Sequence, residues 1–234
     1  MNVLAIGAHP DDIEFYCAGT LQRYRSQGHR IFIALATSGN IGSNVVESRE
    51  KIAASREAET SEAAKLLDAE LRFMRYDDEL LLDTTESRRS VLNAIRWANP
   101  DVILTHYPGD PSTDHAMTGK IVGEVILSVP GKLLPADEPP ISKVPSIFFW
   151  DTFAGINFTP EVYVDITESM DLKLQGLEMY VSQREWMDVF TEESFVEYVR
   201  AQCRFRGMQA GCRYAEAFIP HRVQGFMPNF KLLP

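Results

Sequence analysis

The apolar positions of this 234-residue chain form short continuous runs that alternate with longer amphipathic stretches. Runs such as IFIALAT, residues 31–37, lack the polar alternation of a half-exposed strand. They are typical of strands that a parallel sheet buries on both faces. The same criterion predicts strands at residues 2–7, 31–37, about 70–75, 102–105, 146–151 and 161–165.

Helical periodicity fills most of the intervals between these runs. It predicts helices at about residues 10–27, 48–67, 85–98, 115–129, 167–180, 182–189 and 192–208, followed by an irregular tail. Strands that alternate with helices indicate an α/β protein. We therefore expect a Rossmann-like, three-layer α/β/α fold with a mostly parallel central sheet, formed by a single domain over residues 1–234.

Composition and charge narrow the classes of function. Apolar residues make up 45% of the chain, which suits a folded globular protein. The net charge of −10 disfavours nucleic acid and anionic membrane surfaces and favours a small neutral or cationic substrate. The three cysteines show no CxxC spacing and are expected to be buried thiols, and the absence of a charged n-region favours a cytoplasmic location.

Ionisable side chains gather where two predicted strands end. AHPDD, residues 8–12, follows the first strand, and GDPSTDH, residues 109–115, follows VILT. Ligands of open α/β sheets bind at the carboxyl edge of the strands. His9, an aspartate of the same loop and His115 would supply the N/N/O ligand set of a catalytic zinc site. The alternative is that the aspartates only cap a helix, since negative charge is favoured in a first helical turn.

Four segments together carry a resemblance to a known family. They are AHPDD, the helix SREAETSEAAKLLDAE, PDVILTH and the pattern DxSxDH at residues 110–115. The chain resembles the LmbE / PIG-L family of zinc-dependent N-acetylglucosaminyl deacetylases. The similarity covers residues 2–130 and resumes at CRYAEAF, residues 212–218, which implies a core at 1–130 and a C-terminal extension at 145–234.

The resemblance implies roles for individual residues. His9, Asp12 and His115 would hold one Zn²⁺ per chain, another divalent transition metal being the alternative, while Asp11 would act as general base. The reaction implied is hydrolysis of the N-acetyl amide of a small GlcNAc-type amino sugar to a free amine and acetate. Relatives commonly assemble as trimers or hexamers, so a homo-oligomer is expected.

The chain departs from the family pattern at Ser112, where many members have a histidine that stabilises the oxyanion or protonates the leaving amine. A hydroxyl can donate a hydrogen bond but cannot carry positive charge. Three substitutes are available: Asp11 acting as both base and acid, His106 in the same loop, or His221 in the tail.

Other candidate residues have structural alternatives. The resemblance places Arg56 and Asp78 near the substrate, although Arg56 could be a solvated helix residue and Asp78 a turn residue. Asp110 or Asp114 could orient a ligating histidine through its second ring nitrogen. Glu216 recurs in the family near the site, and the aromatic residues Phe148, Phe149, Trp150 and Phe153 could line a sugar pocket or pack in the core.

Three rival functions follow from the same residues. A zinc amidase that removes a larger acyl group from a sugar or thiol conjugate would share the metal and base. A protein that binds zinc and an amino sugar without turnover is compatible with Ser112. A nucleotide-binding Rossmann domain is disfavoured, because GAHPDD has bulky residues where a glycine-rich loop would admit pyrophosphate.

Overall fold

A single sheet runs through the protein, and nearly all of its strands come from the predicted runs. The computed structural model describes residues 1–43, 48–188, 194–223 and 232–234. The strands of this described part are β1 (Asn2–Gly7), β2 (Arg30–Thr37), β3 (Glu70–Tyr76), β4 (Val102–Thr105), β5 (Ser146–Trp150), β6 (Val162–Asp165) and β7 (Ala215–Pro220).

Helices connect the strands and cover both faces of the sheet. They are α1 (Asp12–Tyr16), α2 (Ala18–Ser26), α3 (Arg49–Leu66), α4 (Thr85–Ala98), α5 (Thr113–Val125), α6 (Met170–Glu178), α7 (Val181–Asp188) and α8 (Phe195–Ala210). Ser48 caps α3 by accepting a hydrogen bond from the backbone of Lys51, as expected for a serine directly before a helix. Short 3₁₀ turns occupy residues 126–128, 153–155 and 167–169.

The strand order is β3-β2-β1-β4-β5-β7-β6. The first five strands of that order pair in parallel, with Ala5 of β1 opposite both Ile33 and Leu104. Strand β7 runs antiparallel between β5 and β6. The predicted mostly parallel sheet is therefore confirmed, and the order places β1 beside β4.

Alternate residues of the central strands supply two separate cores. Val3 and Ala5 of β1 join the core beneath α1, α2, α6 and α8, whereas Leu4 and Ile6 join the core beneath α4 and α5. All four side chains are completely buried. Since both faces of the sheet are covered, the three-layer α/β/α prediction is confirmed.

Two predicted elements are wrong in detail. The helix expected at 10–27 is interrupted at Cys17, whose φ of −143° and ψ of 5° break the helical path between α1 and α2. The tail expected to be irregular contains β7, which pairs with strands more than 50 residues away along the chain and shows no long periodic signal. The helix boundaries predicted at residues 189 and 192 lie outside the described residues.

Among the described helices, none combines the length and apolar composition needed to cross a membrane.

The prediction of buried thiols is confirmed for two of the three cysteines. Cys17 and Cys203 are buried free thiols, as expected, but Cys212 is partly exposed because it lies in the turn between α8 and β7.

Candidate metal centre and active site

The loops that follow β1 and β4 meet at one edge of the sheet. Ile6 pairs with Thr105, so both chains leave the sheet at the same level. The first loop carries His9, and the second leads into α5, which presents His115. Beside these histidines lies a cavity of about 410 Å³ lined by His9, Asp11, Asp12, Phe15, Tyr16, Ile41, Gly42, Arg56, Asp78, Glu79, His115, Phe153 and Gln183.

Three side chains direct donor atoms toward one point at the cavity. His9 Nδ1 lies 3.2 Å from His115 Nε2, and that nitrogen lies 3.3 Å from Asp12 Oδ1. The other oxygen, Asp12 Oδ2, accepts the backbone N–H of His9 at 2.6 Å. Oδ2 is thereby held by the backbone while Oδ1 faces His115 Nε2, and His9 Nδ1 lies 3.7 Å from Oδ2.

Carboxylates also fix the outer nitrogens of both histidines. His9 Nε2 lies 2.9 Å from Asp78 Oδ1 and 3.4 Å from Asp114 Oδ2, and His115 Nδ1 lies 3.3 Å from Asp110 Oδ2. A carboxylate that accepts a hydrogen from one ring nitrogen leaves the other nitrogen's lone pair free for a metal. Both lone pairs then point at the same place, where a cation would stabilise them.

The donor spacing fits a tetrahedral metal. Ligands about 2.0–2.1 Å from a zinc ion lie about 3.3–3.4 Å from one another in a tetrahedron. The separations of 3.2 Å between His9 Nδ1 and His115 Nε2 and of 3.3 Å between His115 Nε2 and Asp12 Oδ1 are close to that edge length, and the distance of 3.7 Å from His9 Nδ1 to Asp12 Oδ2 is slightly longer. Histidine nitrogen and carboxylate oxygen are also ligand types that zinc accepts, so the residues present fit the predicted ion.

Burial and mutual charge shift the pKa values of these groups strongly. Burial lowers the pKa of His115, but the negative charge of Asp12 and the hydrogen bond that His115 donates to Asp110 outweigh it and raise the pKa to about 9. Burial also lowers the pKa of His9, but its hydrogen bonds to Asp114 and Asp78 outweigh burial, so this pKa lies well above the ordinary value. Binding of a cation therefore competes with protons at this site.

His106 lies behind Asp12 and away from the cavity. It is fully buried, its Nδ1 accepts a hydrogen from Trp150 Nε1 at 3.1 Å, and its Nε2 lies 2.8 Å from Asp12 Oδ2. Burial lowers its pKa to about 4, further aided by the charge of His115, so the ring is neutral. Because the indole N–H of Trp150 can only donate, Nδ1 accepts and the neutral ring carries its proton on Nε2. The backbone N–H of Ala8 also lies 3.1 Å from Nε2, but of the two neighbours of this nitrogen only the Asp12 carboxylate can accept its proton.

Asp11 occupies a strained position at the cavity wall. Its φ of 104° lies in the left-handed region, which a non-glycine residue adopts only when its surroundings enforce it. Arg56 supplies that constraint: Nη2 donates to Pro10 O at 2.5 Å and to Asp11 Oδ2 at 3.2 Å. Burial raises the pKa of Asp11 to about 7, even though the Arg56 charge lowers it.

The structure brings Arg56 and Asp78 into the cavity wall, where the resemblance placed them. Arg56 is only 3% exposed on α3, and its Nη1 donates to Gly39 O at 3.2 Å. Asp114 is fully buried and accepts the backbone N–H groups of Glu79 and Leu81 at 2.8 and 3.3 Å. It thus ties the loop after β3 to the start of α5.

Other candidates lie outside the cavity. Among the described residues, neither Ser112 nor His106 lines it. Ser112 lies at the N-cap position of α5 without a side-chain capping hydrogen bond, and its backbone N–H donates to Asp110 Oδ1 at 2.8 Å. His221 packs against Phe149 with 5.1 Å between ring centroids. Glu216 is buried, where it accepts the backbone N–H groups of Gly19 and Thr20 and pairs with Lys173.

The four aromatic residues of the predicted group lie in different parts of the structure. Phe148 and Phe149 belong to the two opposite cores, and Trp150 stacks on Tyr16 with 5.9 Å between centroids. Phe153 alone of this group lines the cavity.

Sequence reasoning missed three polar residues of the cavity wall: Tyr16, Gln183 and Glu79, which directly follows Asp78. Tyr16 follows Asp12 by one helical turn, and its ring meets that of His115 edge-on at 5.9 Å. Gln183 comes from α7, and its Nε2 donates to Gly42 O at 3.0 Å. The four-residue spacing from Asp12 could have revealed Tyr16. No local pattern signals Gln183, which reaches the cavity only through the packing of α7 against α3.

Comparison with known proteins gives a consistent result. The family model described as "PIG-L: GlcNAc-PI de-N-acetylase" matches residues 4–126. A probable N-acetyl-alpha-D-glucosaminyl L-malate deacetylase 2 from Bacillus anthracis is 28% identical over 212 residues, which cover 82% of this chain and 89% of that protein.

Solved structures share the whole architecture. The N,N'-diacetylchitobiose deacetylase from Pyrococcus horikoshii, complexed with its inhibitor MPG, aligns with a TM-score of 0.82 and 25% identity over 96% of this chain and 87% of that one. The 4-carboxy-2-hydroxymuconate hydratase GalB from Pseudomonas putida KT2440 also reaches 0.82, at 18% identity over 98% and 100% of the two chains. The latter likeness shows a common fold alone, because a fold hosts different reactions.

Proposed function

The chain belongs to the PIG-L family, and on that premise we propose that it is a zinc-dependent N-deacetylase acting on GlcNAc-type amino sugars. The reaction would hydrolyse the N-acetyl amide to a free amine and acetate. The observation that carries the proposal is the convergence of His9 Nδ1, His115 Nε2 and the Asp12 carboxylate at a cavity whose wall also contains the carboxyl of Asp11.

His9, Asp12 and His115 would hold the zinc ion, and the remaining carboxylates would keep them in place. When bound, the ion supplies a Lewis acid for the amide carbonyl and lowers the pKa of water toward about 7. Asp110 orients His115, and Asp78 and Asp114 orient His9. His106 donates to Asp12 Oδ2 and so keeps Oδ1 turned to the histidines.

Asp11 would accept the proton of the attacking water. Its carboxyl lines the cavity next to the donor cluster formed by His9, Asp12 and His115, but Asp11 is not a member of that cluster. The raised pKa of about 7 suits a group that takes up a proton and returns it near neutral pH. Asp11 would therefore also deliver this proton to the departing amine, which covers the acid role that the family histidine plays at the position of Ser112.

Tyr16 would supply a neutral hydrogen-bond donor to the same cavity. Burial raises the pKa of its hydroxyl well above the ordinary value, so the group keeps its proton. A donor that faces the carbonyl oxygen stabilises the negative charge that develops there. Ser112, which lies at the N-cap position of α5 outside the cavity, is not needed to stabilise that charge.

The C-terminal segment belongs to the same functional unit in this proposal, because Phe153 and Gln183 line the cavity together with the core loops. The homo-oligomeric state and the cytoplasmic location stay predictions. Light scattering on the purified protein and fractionation of cells test them.

Metal analysis combined with an amine assay tests the proposed function. We expect about one zinc per chain and release of primary amine, detected with fluorescamine, from a panel of N-acetyl sugars. A chelator should abolish the activity, and added zinc should restore it. Release only from conjugates with larger acyl groups would identify a zinc amidase instead, and metal without amine release from any acyl donor would identify a binding protein.

A further inference from the structure

A second groove adjoins the reaction cavity. It has a volume of about 240 Å³ and lies between the 3₁₀ turn at residues 153–155 and helix α8. Its lining residues are Phe153, Ala154, Gly155, Tyr198, Ala201, Gln202, Phe205 and Arg206. Phe153 lines both the groove and the cavity, so one side chain forms the boundary between them.

The turn that carries Phe153 is held firmly in place. Ala154 has a left-handed φ of 55°, a conformation that costs a non-glycine residue energy and needs support. Gln202 of α8 provides this support, because its Oε1 accepts the Ala154 N–H at 3.0 Å and its Nε2 donates to Thr152 O at 2.9 Å. Phe153 is therefore a fixed wall.

An aromatic surface faces the groove. Phe153 and Tyr198 stack with 6.0 Å between centroids and 15° between planes. Tyr198 is 37% exposed and Phe205 is 54% exposed, so the rings are available to a ligand. Binding sites commonly combine such aromatic walls with a few polar groups. The apolar C–H face of a sugar ring is a suitable partner for them.

Among the described lining residues, neither space offers an anion a lysine or arginine that is not already paired with a carboxylate. Arg206 is the one lysine or arginine among the described residues that line the groove, and Asp151 already holds it with two hydrogen bonds of 2.6 and 3.0 Å. Arg56 is likewise the one lysine or arginine among the described residues that line the cavity, and it is paired with Asp11. Asp78 and Glu79 add negative charge there.

We propose that the groove is a subsite for an uncharged second ring of the substrate. On this view, which rests on the proposed deacetylase function, the chain prefers N-acetylglucosamine linked to a neutral sugar over N-acetylglucosamine linked to a carboxylate such as malate. The reacting N-acetyl sugar occupies the cavity, and the second ring passes Phe153 to lie against Tyr198.

Substrate comparison tests this subsite in the zinc-loaded enzyme. We expect the wild type to use N,N'-diacetylchitobiose with a kcat/KM at least about tenfold above that for GlcNAc-malate. In Tyr198→Ala the ratio of kcat/KM for the disaccharide to that for GlcNAc should fall about fivefold, mainly through KM, which matches the free energy of one aromatic stack. Tyr198→Phe keeps the ring and should restore the ratio.

Met208→Ala is the matched control, because Met208 lies on the same helix, is 68% exposed and is not part of the described groove lining. It should leave the ratio at the wild-type value. An equal loss with both sugars in Tyr198→Ala would overturn the subsite, as would a preference of the wild type for the malate conjugate.

A binding measurement separates failure of the subsite from failure of the proposed function. Calorimetric titration with N,N'-diacetylchitobiose reports the subsite even if the wild type releases no amine. Weaker binding by Tyr198→Ala than by Met208→Ala would support it. Identical affinities together with a changed oligomeric state of Tyr198→Ala, measured by light scattering, would show that the groove contacts a second copy of the chain instead.

Discussion

His106 and Asp12 face each other across 2.8 Å, although 94 residues separate them in the chain. The histidine follows β4 directly, and the aspartate begins α1 after β1. Their contact joins the two loops beneath the donor cluster. Asp12 therefore directs Oδ1 toward His115, while Oδ2 contacts His106 and accepts the backbone N–H of His9, which connects the two loops.

Removal of the His106 donor should weaken zinc binding. His106→Phe keeps a buried ring but leaves Asp12 Oδ2 without its side-chain donor, so we expect zinc affinity to fall about 10- to 100-fold. His106→Gln keeps an N–H donor and should recover part of that loss. Competition with a chromophoric chelator gives the affinities, and circular dichroism verifies folding. Wild-type affinity in a folded His106→Phe would show that Asp12 does not depend on this contact.

Asp11→Asn should separate catalysis from metal binding. The amide has the size of the carboxyl but cannot accept the proton, so kcat should fall about 10²- to 10⁴-fold. The zinc content should stay at the wild-type level, because Asp11 is not one of the donors. Asp77→Asn, at an exposed aspartate paired with Arg49, is the control and should change neither quantity. An active Asp11→Asn would refute the assignment of the base.

Substitution of His115 should reduce zinc binding more than substitution of Asp110. His115→Ala removes a donor and should abolish stoichiometric zinc, as determined by elemental analysis. Asp110→Asn removes only the partner of His115 Nδ1 and should lower zinc affinity about 10- to 100-fold. Full zinc in His115→Ala would mean that another residue is the third ligand.

Tyr16→Phe should lower turnover without loss of metal. The variant keeps the ring that stacks on Trp150 and removes only the hydroxyl. The loss of one donor to a developing oxyanion should reduce kcat about 10²-fold, with KM little changed. Tyr163→Phe is the control, because it removes from β6 a hydroxyl that donates to Gln209 Oε1 of α8. Equal kcat in Tyr16→Phe and the wild type would exclude the hydroxyl from the reaction.

The buried Lys173–Glu216 pair should govern stability. The Lys173 side chain is completely buried, and Nζ lies 2.7 Å from Glu216 Oε1. Lys173→Met leaves an unpaired buried carboxylate and should lower the free energy of unfolding by about 3–5 kcal/mol. Urea unfolding measures this, and the double variant Lys173→Met/Glu216→Gln should recover part of it.

This ion pair also predicts a pH dependence of stability. Burial lowers the pKa of Lys173, but the charge of Glu216 outweighs it and raises the pKa above that of the unfolded chain. The contribution of Lys173 is therefore complete below the ordinary lysine pKa and is lost as pH rises through the folded value. Stability in Lys173→Met should be less sensitive to pH above that range. Equal alkaline sensitivity of the two proteins would contradict the prediction.

Much of the architecture could be predicted because its signals are local. Continuous apolar runs such as VILT identified the buried strands, and Ser48 marked the start of α3. The ends of β1 and β4 also carried the histidines and aspartates that resemble the family motif. Strand β7 and the interruption at Cys17 escaped detection. Strand β7 pairs with distant strands, and just after Cys17 the N–H groups of Gly19 and Thr20 donate to the distant Glu216.

The sequence by itself determined the layered α/β fold and the residue types at the carboxyl edge of the sheet, because hydrophobic periodicity and strand ends are encoded within a few neighbouring positions. Only the tertiary structure decided that Asp78 and Asp114 contact His9, that His106 supports Asp12 from behind, and that Tyr16 rather than Ser112 lines the cavity. The contacts of His9 with Asp114 and of Asp12 with His106 arise when β1 pairs with β4 and brings together side chains about a hundred residues apart, and the contact of His9 with Asp78 depends on β2 pairing with both β1 and β3. No local pattern in the chain specifies which distant side chains come into contact.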